Sequence, residues 1–239
     1  MADFQTSLDE HFPGSLPAKA YLDAVGELLI PRGFTAARTL PLLSICRDEL
    51  THDLHPLVEG RWGLAFTLAG LGAIPALGRT GWDAGLSHIP GGDDERGKLL
   101  VFGFPHIGIE EDGSVGVTIR SGQSHPTSTC GALTAVLRAI QTDEIPTSID
   151  VHDYEASKLT QRLAGLQPRP TTLLELTIAA LDAMEADLWS AIDEFGVWER
   201  ADVALCCGVQ INAHGERDWI WPRDTWLAGA DGVRERLGL

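Results

Sequence analysis

Three residues of this chain have the types that hold a soft divalent metal, and each stands at the end of a recognisable segment. Cys46 follows the apolar run "LPLLSIC" (40–46), His106 closes "KLLVFGFPH" (98–106), and Cys130 lies where "SHPTSTCGALTAVLRAI" turns helical. In an open α/β sheet the carboxyl ends of strands and the amino ends of helices share one edge, where ligands bind. Intervals of 60 residues (46 to 106) and 24 (106 to 130) are therefore no obstacle to convergence. A helix N-terminus lowers a thiol pKa, and the thiolate is the form that binds metal. Two thiolates and one imidazole leave the fourth tetrahedral position of Zn2+ open to water, as a catalytic site requires. The same residues admit other chemistry. Cys130 as nucleophile with His106 as base is the pattern of a thiol hydrolase, and a lone buried cysteine is often only a small core hydrophobe.

The elements that must position these residues follow from periodicity and punctuation. "PAKAYLDAVGELLI" (17–30) spaces its apolar residues at helical intervals and "PRG" ends it. The runs 40–46 and 98–106 are continuous apolar segments, as expected of strands covered on both faces. "RDELTHDLHPLVEG" reads as a helix with acidic residues in its first turn, and "IEEDGSVGVTIR" as a hairpin turning at Asp112-Gly113. Helices are expected around 153–165 and 171–195, and "ADVALCCGVQINA" (201–213) is a further strand with Cys206 and Cys207 on opposite faces. A Trp-rich tail reads as a lid over the core or a dimer contact. Strands alternating with helices predict an α/β fold with a mostly parallel central sheet and helices on both faces. The domain spans 1–239, with 1–38 a helical N-terminal extension.

Composition narrows the partners. The 239 residues carry 18 basic and 34 acidic side chains, a net charge of −16, with no basic stripe to meet a phosphate backbone or an anionic lipid. Neither nucleic acid nor membrane is an expected partner. The apolar stretch 62–77 is too short for a normal span and is broken by glycine and proline. Its neighbour "GLGAIPALGRTG" (70–81) lacks both nucleotide-loop fingerprints and reads as a tight loop near the sheet edge. Four cysteines do not make a disulfide framework, and "MADFQTSLDEHF" has neither the basic nor the apolar region of a secretory signal, so a cytoplasmic location is expected. His125 reads as a loop residue, and His52 with His55 as a helix-surface pair.

The segments "CRDEL", "TGWDAGLSHIP", "LLVFGFPHIGIEEDGSVGVTIRSGQS" and "TCGALTAVL" resemble the limiting-carbon-dioxide-inducible B/C proteins, the theta group of carbonic anhydrases, over roughly residues 40–215. The resemblance implies a fold like that of β-carbonic anhydrases, a homodimer, and zinc held by Cys46, His106 and Cys130. It implies reversible hydration of CO2 to bicarbonate by hydroxide generated on the zinc, with Asp48 orienting the hydroxide or, swung onto the metal, closing the site. His88, in "GLSHIP", matches a histidine-bearing segment of the family; it is a candidate to line the pocket or relay protons, with a structural hydrogen bond from its ring as the alternative. The chain departs from the β-type pattern at one place: Leu50 stands where an arginine two residues after the aspartate is usual. Arg47 and Arg120 are the candidates to supply that guanidinium, the alternative being an incomplete dyad. The competing readings are a catalytically silent, zinc-stabilised dimer with an interaction or carbon-sensing role, and the thiol hydrolase.

Overall fold

A computed structural model describes residues 3–91, 96–213 and 218–239. The chain opens with α1 (Phe4–His11), the two-residue strand β1 (Leu16–Pro17) and α2 (Ala18–Leu29). β2 (Thr39–Ile45), α3 (Leu54–Trp62), β3 (Phe66–Thr67), α4 (Arg79–Leu86), β4 (Gly97–Phe104) and β5 (His106–Ile109) follow. β6 (Val117–Thr118) and β7 (Thr127–Ser128) lead into α5 (Gly131–Thr142), α6 (Tyr154–Ala164) and α7 (Leu173–Glu194). β8 (Ala201–Ala213), β9 (Trp219–Ala228) and β10 (Arg234–Leu237) close the chain.

The main sheet runs β1-β9-β8-β4-β2-β3, with β5 continuing alongside β8 and β10 pairing β9. Pairs β3–β2, β2–β4, β4–β8 and β5–β8 are parallel, and only β9 brings in antiparallel neighbours. The expected α/β architecture with a mostly parallel sheet is therefore present. Side-chain alternation sorts the buried apolar residues into two layers. Leu42, Val101 and Leu205 face the layer that includes Leu133, Leu159 and Met184 of α5, α6 and α7. Leu43, Phe102 and Ala204 face the layer that includes Val25 and Val58 of α2 and α3. Cys206 and Cys207 fall into different layers, as their adjacency in a strand requires.

Three local expectations change. The helix after Cys46 does not start at Arg47: Asp48 caps a three-ten turn at Glu49–Thr51, and α3 begins at Leu54. His106 does not end its strand. Pro105, with no N–H to give the ladder, separates β4 from β5, and pairing with β8 resumes from His106↔Gln210 to Ile109↔Ala213. The Trp-rich tail is sheet: Trp219, Trp221 and Trp226 lie in β9, with Trp219 packing on Phe4 of α1 and Trp221 on Phe12 just after that helix. Among the described residues no helix is long and apolar enough to cross a membrane.

Candidate metal centre

Cys46 is the residue after β2, on the side of the sheet that meets α5, and Cys130 is the N-cap of α5. His106 enters from the strand between, immediately after the proline break. The three side chains are almost fully buried, at 3%, 0% and 1% exposure for Cys46, His106 and Cys130. Their ligating atoms all lie within 4.8 Å of one another, and the two sulfurs are 3.9 Å apart. Two Zn–S bonds of about 2.3 Å at the tetrahedral angle would separate their sulfurs by about 3.8 Å. The group can hold a metal.

Gly108 lets the next layer close over the centre. A Cβ there would collide with the Val117 carbonyl and the Thr129 hydroxyl, so only glycine allows the segment leading to Cys130 to lie against β5. The Thr129 hydroxyl and the Nε2 nitrogen of His106 are both buried without a hydrogen-bond partner. An orphaned buried nitrogen is costly unless something absent from the protein satisfies it.

Electrostatics point the same way. The hydrogen bond with Cys130, helped by the charge of the neighbouring His106, outweighs burial and pulls the Cys46 thiol down to about 4. The Cys130 thiol is pushed well above its usual range by its hydrogen bond with Cys46, by burial and by the Cys46 charge. Burial works against the charged form of His106, but the Cys46 thiolate more than offsets it and the imidazole pKa is raised. The centre thus concentrates negative charge on sulfur with an imidazole beside it, a donor set that suits a soft dication.

Asp48 sits two residues beyond Cys46 with both carboxylate oxygens engaged. Oδ1 accepts from the Leu50 N–H at 3.1 Å and Oδ2 accepts from Arg120 Nη2 at 3.0 Å. Of the two arginines considered from the sequence, Arg120 is therefore the one in contact with Asp48. It also donates to Glu49 Oε1, Thr127 Oγ1 and the Ser128 and Thr129 carbonyls, so one guanidinium ties the loop after β2 to the segment that delivers Cys130. Arg47 turns away and pairs with Glu155 on α6. His88 is not brought to this centre. It is exposed, its ring packs edge-on against Phe66, and it shares a cavity with Thr39 and Leu40 at the start of β2. From Leu40 to Cys46 the strand rises about 20 Å. His125 is exposed, and the rings of His52 and His55 meet edge to face with centroids 6.4 Å apart.

One group that sequence reasoning overlooked stands behind the histidine. Asn212 Oδ1 lies 2.8 Å from His106 Nδ1, and Asn212 Nδ2 donates to the Leu50 carbonyl at 2.9 Å and to Asp218 Oδ1 at 3.0 Å. The signal was present in "VQINA": two amides alternate along a strand buried on both faces, and buried amides need partners.

Residues 15–228 match the sequence family described as limiting CO2-inducible proteins B/C beta carbonic anhydrases. The fold is similar to the crystal structure of the limiting CO2-inducible protein LCIB, with 29% identity, 97% of each chain covered and a TM-score of 0.79. It is also similar to that of PtLCIB4, a homolog of LCIB, with 23% identity, 98% of this chain and 100% of that chain covered, and a TM-score of 0.83. No curated protein matches the chain.

Proposed function

The chain belongs to the limiting CO2-inducible B/C family of beta carbonic anhydrases, and on that premise we propose that it is a zinc-dependent carbonic anhydrase, catalysing CO2 + H2O ⇌ HCO3− + H+. The observation that carries the proposal is the convergence of two sulfurs and an unpartnered imidazole nitrogen next to a carboxylate that is held on both oxygens. Cys46, Cys130 and His106 Nε2 would hold the ion. Zinc, when bound there, supplies a Lewis acid that lowers the pKa of water from 15.7 to about 7, so that hydration of CO2 proceeds at neutral pH.

The chain's own residues supply orientation. Asp48 accepts a hydrogen bond from the reacting water and aims its lone pair, and Arg120, with its permanent charge, keeps that carboxylate ionised and fixed. The engagement of Asp48 by Leu50 and Arg120 favours an accessible fourth position over a site closed by Asp48. Burial of the three ligands suits a small gas better than the acyl chain a thiol hydrolase must accommodate. A second sulfur 3.9 Å from the first also has no task in such an enzyme.

The test is elemental analysis of the reduced protein together with stopped-flow CO2 hydration of wild type and Asp48→Ala. The expected result is about one zinc per chain in both proteins and a hydration rate about 100-fold lower in the variant. A reduced protein without metal overturns the metal centre. A zinc-loaded wild type no faster than buffer overturns catalysis and leaves the silent, zinc-stabilised reading.

A further inference from the structure

We infer that Asp218 is a positioning residue for the metal centre: together with the Leu50 carbonyl it holds the Asn212 amide in the orientation that decides which nitrogen of His106 faces the sulfurs. The inference rests on the metal reading above. A backbone carbonyl can only accept, so the Asn212 atom 2.9 Å from the Leu50 carbonyl must be its amide nitrogen. The same nitrogen uses its second proton on Asp218 Oδ1 at 3.0 Å. With both N–H groups spent, the Asn212 oxygen is left toward His106, where it can only accept, and Nδ1 must carry the proton. That assigns the lone pair to Nε2, the buried ring nitrogen without a partner, and leaves it as the nitrogen with which His106 would ligate beside Cys46 and Cys130.

Asp218 is itself anchored. Gln210, two residues before Asn212 on the same face of β8, donates from Nε2 to Asp218 Oδ2. The Asp218 backbone carbonyl accepts from the Ala18 N–H at 2.8 Å, at the start of α2. The carboxylate thus stands between two amides, neither of which touches the metal-binding atoms directly, and removing it leaves two buried N–H groups without acceptors. Groups that orient a ligating histidine typically change metal affinity by 10–100-fold.

The conservative variant has a defined escape. Asp218→Asn keeps an oxygen for Asn212, and its new N–H₂ would face Gln210, whose own Oε1 is buried without a partner and becomes available if that amide turns over. Chelator competition on the reduced, zinc-loaded full-length chain is expected to give zinc binding 10–100-fold weaker for Asp218→Ala, and within about 3-fold of wild type for Asp218→Asn. ¹⁵N shifts of the zinc-loaded wild type are expected to show His106 protonated at Nδ1 and bound through Nε2, a readout that needs no variant to fold. Wild-type affinity in Asp218→Ala, equal weakening in Asp218→Asn, or binding through Nδ1 each overturns the inference while leaving the metal centre standing. A wild type that takes up no zinc overturns the centre itself.

Discussion

The two edges of the parallel sheet are built from similar materials to opposite ends. At the edge where β4 and β8 begin, Asp202 receives Arg96 at 2.9 Å and Lys98 at 2.5 Å, and Arg96 Nη2 donates to the Trp198 and Ala201 carbonyls. At the opposite edge all three guanidinium nitrogens of Arg120 donate, to Asp48, Glu49 and the chain before Cys130, yet the groups it surrounds are not self-sufficient. His106 Nε2 has no partner, and two thiols crowd one another at 3.9 Å. A closed polar network stabilises; a network with an inward-facing remainder is prepared for something the chain does not contain. Mutations at the two edges should therefore separate metal content from stability.

The largest effect is expected at the remainder itself. Cys130→Ser replaces a soft thiolate donor at the helix N-terminus by a hydroxyl that stays protonated, and zinc content should fall from about one per chain to near zero. Hydration activity should disappear with it. Retention of stoichiometric zinc in this variant would remove the distinction between the edges.

Next comes Arg120→Ala. The Arg120 and Asp48 side chains are only 20% and 13% exposed, so their pairing is not screened as a surface ion pair would be. Asp48 would lose its lateral partner while keeping the Leu50 N–H. The expected outcome is a hydration rate at least about 10-fold lower with zinc still bound. Loss of zinc together with rate would instead make Arg120 part of the scaffold for Cys130, through its bonds to the Ser128 and Thr129 carbonyls.

How much of this was legible depended on whether local pattern or chain path decided it. The placement of Cys46, His106 and Cys130 at one edge followed from apolar runs and a helix start, because a parallel α/β sheet sends such ends to the same side. The choice between Arg47 and Arg120 did not: Arg47 is the sequence neighbour of Asp48, but the bend at Thr51, whose hydroxyl donates to the Cys46 and Asp48 carbonyls, belongs to a turn that sends Arg47 outward to Glu155. β9 was hidden because "WIWPRDTW" carries Pro222 and two charges, and the register of β8 against β9 shifts between Cys206 and Gly208 opposite that proline. His106 looked like a strand end because Pro105 interrupts the hydrogen bonding without ending the strand's course. Asp218 had no local signature, since its role exists only where β9 returns beside β8.

At the closed edge the effect should fall on stability alone. Burial works to raise the Asp202 pKa, but hydrogen bonds and charge from Lys98 and Arg96 prevail and hold it below the usual carboxylate value. A carboxylate with a depressed folded pKa adds stability that is complete above its unfolded value of about 3.9 and is lost as pH falls through the folded one. Asp202→Asn should therefore cost about 2 kcal/mol near neutral pH, by urea unfolding. The gap from wild type should narrow below about pH 4, with zinc content and hydration rate unchanged. A gap that persists in acid would mean that shape, and not charge, makes Asp202 stabilising.

The smallest effect is expected for Arg47→Ala, which tests the comparison where sequence proximity and structure disagree most. Arg47 lies beside both Cys46 and Asp48 in the chain, but its guanidinium makes its hydrogen bonds to Glu155, which also accepts from the Leu71 N–H at 3.2 Å. The Arg47 side chain is 53% exposed, so the pair is largely solvated and its removal should shift stability by less than about 1 kcal/mol. Glu155 would keep the Leu71 contact, and Asp48 would keep both of its own partners. Hydration rate and zinc content should stay within about 2-fold of wild type, against the 10-fold loss expected for Arg120→Ala. A loss in Arg47→Ala as large as that in Arg120→Ala would mean that Asp48 is held from the Arg47 side during turnover, and the guanidinium that matters would be the sequence neighbour after all.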